Sequence, residues 1–504
     1  MMNIVRKCYV IQLFCLLLLT LGVHTFIDAW TWQVITEIPA MFFHGVINCM
    51  SSILFYKVFH FPVLVLWLIT GGLFFTLKLR FVNFRMFGHA IAVVRGKYSK
   101  DTDPGEVTHM QAFCSAVSAT VGLGNIGGVA IAMTLGGPGS VVWMVIAGFF
   151  GMSAKFAEVT LGQKYRKFDK NGKVSGGAFH YLKDGLAAKN LPRLGKVLAI
   201  TFAIFCILGT LGAGNMFQSN QTVAIISDTF GANNDLSRLL LSLGITFLVW
   251  VVLIGGVKRI AVVTEAIVPF MAALYIVAGS VIIAVNFENI GSAFTVMFTD
   301  AFNGHAVGGG IIGVMVNGFK RAAFSNESGL GSAAIVHSAA KTKEPAREGC
   351  VALLEPFLDT VVICFFTGII ITITGVYKDS GSVTGVLLTS KAFATVFDWF
   401  PIVLSVAVAL FAYSTMITWS YYGERAWQYI FGDKSVKVFY IIFCLFVFLG
   451  GMLNDITLII NFSDLLLLSM AIPNLIGMYI LSGVVKQELD QYIEKLKNKE
   501  FSRT

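Results

Sequence analysis

The stretch from Thr120 to Gly128 reads Thr-Val-Gly-Leu-Gly-Asn-Ile-Gly-Gly, and it lies within an apolar run long enough to cross a lipid bilayer. A glycine in a helix interior costs about 1 kcal/mol relative to alanine, so a continuous helix is disfavoured here. A helix broken at membrane depth is tolerated only where its backbone is buried in protein or lines a wet cavity. The run therefore predicts a discontinuous membrane-spanning helix, a feature typical of solute and ion sites.

The composition excludes a soluble protein. Only 13% of the 504 residues are charged, whereas soluble domains carry roughly 25%. The net charge of +9 comes from basic residues in short loops, without the aromatic-interleaved basic patch that a nucleic-acid-binding protein would show. The eight cysteines are scattered and indicate neither a disulfide framework nor a zinc site.

Apolar runs predict an all-α polytopic membrane protein. The predicted spans are 9–26, 62–79, 109–135, 139–163, 195–218, 237–255, 261–285, 307–336, 351–375, 400–420, 435–452 and 456–484. Basic residues concentrate in alternate loops and in the C-terminal tail, which places those loops and the C-terminus in the cytoplasm. We therefore expect an integral protein of the plasma (inner) membrane.

The chain divides into three predicted regions. Residues 1–61 form an N-terminal extension, 62–485 a single transmembrane domain, and 486–504 a cytoplasmic tail. Span 9–26 fits a signal peptide or a retained signal-anchor helix, and the poor cleavage site at Ala29 favours retention. The mixed segment 31–60 is predicted to be interfacial.

A second interrupted span begins at Gly308, passes Gly313 and reaches Gly331. When the first two spans are set aside, ten remain, and the broken spans are the first and the sixth. Five spans followed by five of opposite orientation predict an inverted repeat, with a transporter site where the two breaks meet. The alternative is that these glycines only allow helices to pack closely.

The first break suits a zwitterionic amino acid and a cation. Half-helix N-termini offer free N–H groups and a positive dipole end to a carboxylate, and freed carbonyls suit an ammonium group or a sodium ion. Thr120 and Asn125 add a hydroxyl and an amide. Residues 122–127 also match the dinucleotide motif G-x-G-x-x-G, but no strand precedes them. Signatures of Walker A sites and of nucleophilic or zinc-dependent enzymes are absent from the sequence, so neither an ATP-driven pump nor an enzyme is expected, and no organic cofactor.

These residues resemble the alanine-or-glycine:cation symporter family, often called sodium:alanine symporters. The matching stretches occur in family order and are Ser118–Gly128, Gly136–Gly139, Lys155–Val159, Gly214–Gln218, Phe324–Glu327, Gly329–Ser332, Leu354–Thr360 and Thr415–Glu424. The resemblance implies a LeuT-type fold of five plus five inverted helices, with an extra leading helix and here an additional N-terminal hydrophobic segment. The chain departs from the family in its longer N-terminal extension and in Ser328, where alanine is more common.

The resemblance also implies site residues. The substrate set is Thr120, Gly122, Gly124, Asn125, Gln218, Met315, Phe319, Thr415 and Trp419. The sodium set is Thr120, Leu123, Ser414 and Thr415. From the residues alone, Thr415 and Trp419 share a helix face, and Gln218, near an outer helix end, could meet the substrate ammonium through its carbonyl. A structural role for each stays open, because Thr415 could bond its own helix.

Intramembrane charges are interpreted first as gating or structural groups. Lys155 and Glu158 are three apart and predict an ion pair on one helix. Glu355 is expected at a helix start, with Asp359 four residues later. Glu327 is expected to hold an inner gate closed through Arg321 or Lys320.

The sequence thus predicts a secondary symporter that imports alanine or glycine with sodium by alternating access. A proton-coupled carrier of the same solutes, with Glu355 or Asp359 as proton carrier, is the main alternative. A receptor that binds an amino acid without transporting it, and a channel, are further alternatives. Alanine, glycine and serine, the L and D forms, the ion stoichiometry and the oligomeric state stay open, although a monomer is compatible with the resemblance.

Overall fold

The computed structural model describes residues 29–54, 56–58, 61–100, 102–169, 172, 174–302, 310–378 and 384–501. The predicted span 9–26 lies outside these residues. The principal helices are α1 (Ala29–Leu54), α2 (Val63–Lys78), α3 (His109–Thr120 and Gly124–Gly136), α4 (Gly139–Lys164), α5 (Pro192–Thr229), α6 (Asp235–Leu253), α7 (Gly256–Val285), α8 (Gly310–Asn326 and Ala333–His337), α9 (Pro345–Thr374), α10 (Phe400–Phe431), α11 (Val436–Met452) and α12 (Ile456–Ser469 and Ala471–Lys497).

Short elements connect these helices. The short helices are Val82–Arg85, Phe87–Val94, Ala178–His180, Phe287–Asn289, Ile290–Phe302, Val386–Ala394 and Asp433–Ser435. Two antiparallel strand pairs join Lys57–Val58 to Phe61–Pro62, and Lys167–Phe168 to Val174–Ser175. Wider π turns occur at Gly124–Gly128, Tyr181–Gly185, Gly212–Met216 and Phe357–Cys364.

Each predicted span from 62–79 onward corresponds to one of the helices α2 to α12. Several helices extend beyond the apolar run: α5 continues to Thr229, α10 to Phe431 and α12 to Lys497. The extensions contain polar as well as apolar residues, and they form because helical hydrogen bonding does not require apolar side chains. Within the described residues, eight helices are long and apolar enough to cross a membrane, or nine when the two halves of α3 count as one span.

Helix α1 occupies most of the segment predicted to be interfacial. It packs on α12, where the ring of Phe43 lies 4.6 Å from that of Phe462, centroid to centroid. The side chain of Phe43 is only 1% exposed, so α1 is attached to the bundle through this contact.

Helix α3 is broken at the predicted place. Its first half begins with a capping box, in which the Thr108 hydroxyl accepts the Gln111 N–H at 3.1 Å and the Gln111 side chain accepts the Thr108 N–H at 3.1 Å. The two halves meet at an angle of 48°. The break confirms the reading of residues 120–128 as a discontinuity.

The second break is confined to the end of the predicted region. Residues 310–326 form a continuous helix, and the chain leaves it at Glu327, Gly329 and Gly331, whose φ angles are 56°, 83° and 92°. Gly318 lies within this helix, and its missing side chain allows α4 to approach closely. A Cβ there would lie 2.5 Å from the Ser140 carbonyl oxygen. Gly318 therefore serves packing, and the break is formed by the residues near 330.

The helices pack in two groups. Helix α4 packs against α2, α8 and α9, and helices α5, α6, α10 and α11 pack against one another. Helix α3 contacts both groups, through α8 and α9 on one side and α10 on the other. The breaks of α3 and α8 therefore lie where the two groups meet.

Candidate functional site

A small cavity lies between the two breaks. Its lining residues are Ala119, Thr120, Gly124, Ala213, Gln218, Phe324, Glu327, Thr415, Trp419 and Leu467. The space between them that atoms leave empty is at most about 230 Å³. Five of the residues predicted for substrate binding meet here, on α3, α5 and α10, and Glu327 joins them from α8.

Side-chain amides hold the N–H groups that the α3 break sets free. The Gly122 N–H donates to Asn125 Oδ1 at 2.8 Å, and the Leu123 N–H donates to Gln218 Oε1 at 3.2 Å. The amide nitrogen of Gln218 donates to the Ala213 carbonyl oxygen at 3.0 Å, within the Gly212–Met216 π turn. The placement of Gln218 near an outer helix end is wrong, because α5 continues through the π turn for another eleven residues to Thr229.

Two glycines set the distance between α10 and its neighbours. A Cβ at Gly122 would lie 2.5 Å from Thr415 Oγ1, and a Cβ at Gly214 would lie 2.7 Å from the Cβ of Trp419. Neither position has room for a side chain. The cavity wall thus depends on backbone as much as on side chains.

The hydroxyl groups between α3 and α10 form one connected set. Thr415 donates to the Ser118 carbonyl oxygen at 3.0 Å, Ser118 donates to the Ser414 carbonyl oxygen at 2.9 Å, and Thr418 donates to Ser118 Oγ at 3.1 Å. The predicted sodium ligand Ser414 turns its own hydroxyl to the Phe411 carbonyl oxygen. Thr120 bonds carbonyls of its own helix, at 3.3 and 3.4 Å. Ser118 and Thr418 were missed by the sequence reasoning, although Ser118 begins the first matching stretch.

A buried carboxylate joins both breaks to α9. Asp359 Oδ1 accepts the Asn125 side-chain amide at 2.6 Å, and Oδ2 accepts the hydroxyls of Ser325 at 2.9 Å and Thr360 at 2.6 Å. Asp359 and Asn125 are both fully buried. Asn125, predicted to contact substrate, instead connects the Gly122 backbone to this carboxylate, and Ser325 was missed because only the fold brings α8 beside α9.

The buried acids differ in how their charge is balanced. Asp464 pairs with Lys320 at 2.8 Å and with Arg321, Glu355 pairs with Lys155 at 3.2 Å, and Glu348 pairs with His337 at 2.6 Å and with His109. Three others, Glu158, Glu327 and Asp359, have no cationic side chain within 4.0 Å among the described residues. Glu158 accepts the Ala333 N–H at 3.1 Å, at the start of the inner half of α8, where the helix dipole favours a negative charge.

Three expectations about the charged groups are wrong. The ion pair of Lys155 is with Glu355 on α9, not with Glu158, because packing of α4 on α9 brings the two side chains together. Glu355 does not lie at a helix start, since α9 begins ten residues earlier at Pro345. Glu327 does not pair with Arg321 or Lys320, which bind Asp464 on α12 instead.

Glu327 turns toward the cavity because the chain leaves the helix at its positive φ angle. Its Oε1 accepts the indole N–H of Trp419 at 3.1 Å, and its Oε2 accepts the Ser332 hydroxyl at 2.5 Å. Both partners are neutral.

Met315 and Phe319 are not among the residues that line this cavity. The ring of Phe319 lies 6.1 Å from that of Trp143, and Phe319 lines a different cavity with Leu68 and Leu475. Met315 is half-buried one turn earlier on α8. Both residues lie on earlier turns of α8, whereas the cavity receives Phe324 and Glu327 near the break.

Comparison with known proteins agrees with this architecture. Residues 42–504 match the model of the sodium:alanine symporter family. The chain is 40% identical over 440 residues to the sodium/alanine symporter AgcS of Methanococcus maripaludis, covering 87% of this chain and 95% of AgcS. It is 33% identical to the probable sodium/glutamine symporter GlnT of Bacillus subtilis, covering 86% of this chain and 88% of GlnT.

Among solved structures, MhsT in complex with L-phenylalanine superposes with a TM-score of 0.50 at 17% identity, covering 72% of this chain and 87% of MhsT. This likeness concerns the fold, and it confirms the LeuT-type arrangement that the two broken helices predict. The chain belongs to the sodium:alanine symporter family and is a cation-coupled amino-acid symporter rather than an enzyme.

Proposed function

We propose that the protein imports a small neutral amino acid, alanine or glycine, together with sodium by alternating access. The observation that carries the proposal is the Asp359 cluster, a buried carboxylate shared by both broken helices and linked through Asn125 to the backbone of the substrate cavity. The names of AgcS and GlnT, which both refer to sodium, support this ion.

The cluster has the chemistry of a sodium site. Sodium prefers oxygen ligands, as hard cations do, and the cluster offers the Asp359 carboxylate and the hydroxyls of Ser325 and Thr360. A buried carboxylate without a counter-charge is costly, by several kcal/mol in real proteins. A bound cation removes that cost, so the site favours a cation-occupied state.

Coupling follows from the shared residue Asn125. A cation at Asp359 acts on the side-chain amide of Asn125. The carbonyl oxygen of the same amide accepts the Gly122 N–H at 2.8 Å. Occupation of the ion site therefore orders the α3 break, which lines the substrate cavity. Thermodynamic linkage requires the effect to be reciprocal, so substrate must also raise the affinity for the ion.

Small substrates fit the cavity walls. Trp419, Phe324 and Leu467 bring large side chains into a space of at most about 230 Å³. The Gly124–Gly136 half-helix directs its N-terminus to the same space, which suits a substrate carboxylate. We propose Thr120, Gly122, Gly124, Gln218, Thr415 and Trp419 as the residues that surround the substrate.

The orientation and location are part of the same proposal. The alternation of basic loops supports a cytoplasmic C-terminus, and we propose the inner membrane as the location. Residues 62–485 then form the transport domain, with 1–61 and 486–504 as appendages.

A proton could replace sodium at the same carboxylate. Asp359 is the better proton carrier of the two acids predicted for that role, because Glu355 is already paired with Lys155. The two ions are therefore alternatives for one site, and one experiment separates them.

The test is uptake of labelled alanine into proteoliposomes that contain the purified full-length protein. We expect an inward sodium gradient to drive accumulation, and an equal potassium gradient to drive none. Uptake that follows a pH gradient and ignores sodium would replace sodium by a proton. No accumulation under either gradient would overturn symport.

A further inference from the structure

Of the three buried carboxylates without a cationic neighbour, only Glu327 lines the cavity. Its side chain is 2% exposed. Asp359 lies in the ion cluster, and the charge of Glu158 faces a helix N-terminus. Among the described residues, Glu327 therefore borders the cavity without an ion pair within 4.0 Å, and Lys155 acts on its charge only from farther away.

The carboxylate of Glu327 has acceptor positions left. Each of its oxygens has two lone pairs, and each accepts one hydrogen bond, from Trp419 Nε1 or from Ser332 Oγ. Both donors are neutral and leave the negative charge in place. The two bonds also hold the carboxylate in position, so the Glu327 side chain loses little conformational entropy when a further donor binds.

The α3 break gives the same cavity a region of opposite polarity. The α3 break exposes the N-terminus of a half-helix of thirteen residues at Gly124, and the N–H groups of Gly122 and Leu123 point to side-chain amides there. Gln218 uses its carbonyl oxygen for the Leu123 N–H and its amide nitrogen for Ala213. Gln218 therefore lies on the side of the cavity proposed to bind the substrate carboxylate. The contact with the substrate ammonium group that was predicted for Gln218 is assigned to another residue.

We infer that Glu327 supplies the counter-charge for the α-ammonium group of the substrate, so that the cavity selects zwitterionic α-amino acids over deaminated analogues. The inference rests on the proposed symport of an amino acid and adds the residue that recognises the ammonium group. An ammonium group beside Glu327 adds a direct counter-charge to the buried carboxylate, whereas the hydroxyl of a 2-hydroxy acid adds none.

The experiment compares alanine with lactate, which has a hydroxyl in place of the ammonium group. Binding of both is measured in sodium by isothermal titration on the purified full-length protein, for the wild type and for Glu327→Gln. Glutamine keeps an acceptor for Trp419 and removes the charge. We expect the substitution to weaken alanine binding by about tenfold to a hundredfold, as for the loss of a charged hydrogen bond, and to leave lactate binding unchanged or stronger.

The control is Glu424→Gln on the same helix as Trp419. Glu424 accepts hydrogen bonds from Gln428 at 2.9 Å and Tyr440 at 2.8 Å and lies outside the cavity. We expect this variant to retain the wild-type preference for alanine. Equal weakening of alanine and lactate by Glu327→Gln would show a merely structural role and overturn the inference.

A measurement on the wild type covers the case in which Glu327→Gln fails to fold. Modification of Glu327 by a small carbodiimide, mapped by mass spectrometry, should fall when alanine and sodium are added and should not fall with lactate. Equal labelling with and without alanine would contradict the inference. Failure of the wild type to bind alanine at all would instead refute the proposed function, so the two failures are distinguishable.

Discussion

Asn125 on α3 donates its side-chain amide to Asp359 on α9 at 2.6 Å, and its carbonyl oxygen accepts the Gly122 N–H at 2.8 Å. One side chain thus connects the buried carboxylate proposed for the ion to the backbone that lines the substrate cavity. Since Ser325 on α8 binds the same carboxylate, both broken helices contact Asp359.

Asp359→Asn should abolish ion-driven uptake. The variant keeps the size of the side chain and removes the charge that a cation needs. We expect the sodium-induced rise in the thermal unfolding midpoint of the purified protein to disappear, together with sodium-driven alanine uptake. Asp228→Asn, at an exposed position near the end of α5, is the matched control and should retain both. Sodium-driven uptake by Asp359→Asn at the wild-type rate would refute the ion site.

Asn125→Ala should abolish uptake and also lower stability. The substitution leaves the buried Gly122 N–H and the Asp359 carboxylate each short of a partner, at about 1–3 kcal/mol per group. Thr120→Ala is the comparison, because the Thr120 hydroxyl donates only to its own helix. Thermal unfolding midpoints in detergent test both, and equal midpoints for the two variants would contradict the role of Asn125.

Gly122→Ala should disrupt the contact between α3 and α10. The added methyl group would lie 2.5 Å from Thr415 Oγ1 but 3.4 Å from the Thr415 Cβ. Adding Thr415→Ala should therefore relieve the clash and recover part of the lost expression and stability. Gly128→Ala is the control, since its nearest neighbour would be 3.8 Å away, and it should be neutral or stabilising by up to about 1 kcal/mol. We expect the free energy of unfolding to be greater for Gly122→Ala combined with Thr415→Ala than for Gly122→Ala alone.

Lys155→Met should destabilise the protein more than the double substitution Lys155→Met with Glu355→Gln. The single change removes the ammonium group that lies 3.2 Å from the fully buried Glu355 carboxylate and leaves it only the His337 pairing, at a cost of up to about 3–5 kcal/mol. The double change removes both charges. A double-mutant cycle on detergent-solubilised protein measures the coupling, and additive effects would show that the pair is not an interacting unit.

Acid should destabilise the protein through His180, which follows α4 outside the spans. Burial, and then the charge of Lys167, lower the pKa of His180 from 6.5 to about 4. A histidine with a depressed pKa contributes stability above its unfolded pKa, and this is lost as pH falls from about 6.5 towards about 4, because only the unfolded state binds the proton. The pKa of His89 is lowered in the same way, mainly by burial and also by Arg347.

Replacing His180 by glutamine tests this dependence. The variant should lose part of the fall in unfolding midpoint between pH 7 and pH 5, and substitution of His89 should remove a further part. An unchanged acid profile in His180→Gln would contradict the assignment.

The sequence by itself determined the membrane class, the order of the spans and the presence of two breaks. Glycines at 122, 124, 127 and 128 oppose a continuous helix whatever surrounds them, and apolar runs of about 20 residues have no other stable location. The same local rules explain why residues 310–326 were wrongly predicted to be interrupted. The sequence alone does not distinguish a glycine that permits close packing from one that breaks a helix.

The tertiary structure alone decided which charges meet. Lys155 and Glu158 are a plausible ion pair on one helix. Packing of α4 on α9 instead brings Lys155 into an ion pair with Glu355, some 200 residues away along the chain. In the same way Asp359 meets Asn125 and Ser325, and Glu327 turns into the cavity only because the backbone leaves the helix at its positive φ angle. Local sequence sets helix propensity over a few turns, whereas partners inside a low-dielectric bundle are set by how the helices pack, and that information is spread over the whole chain.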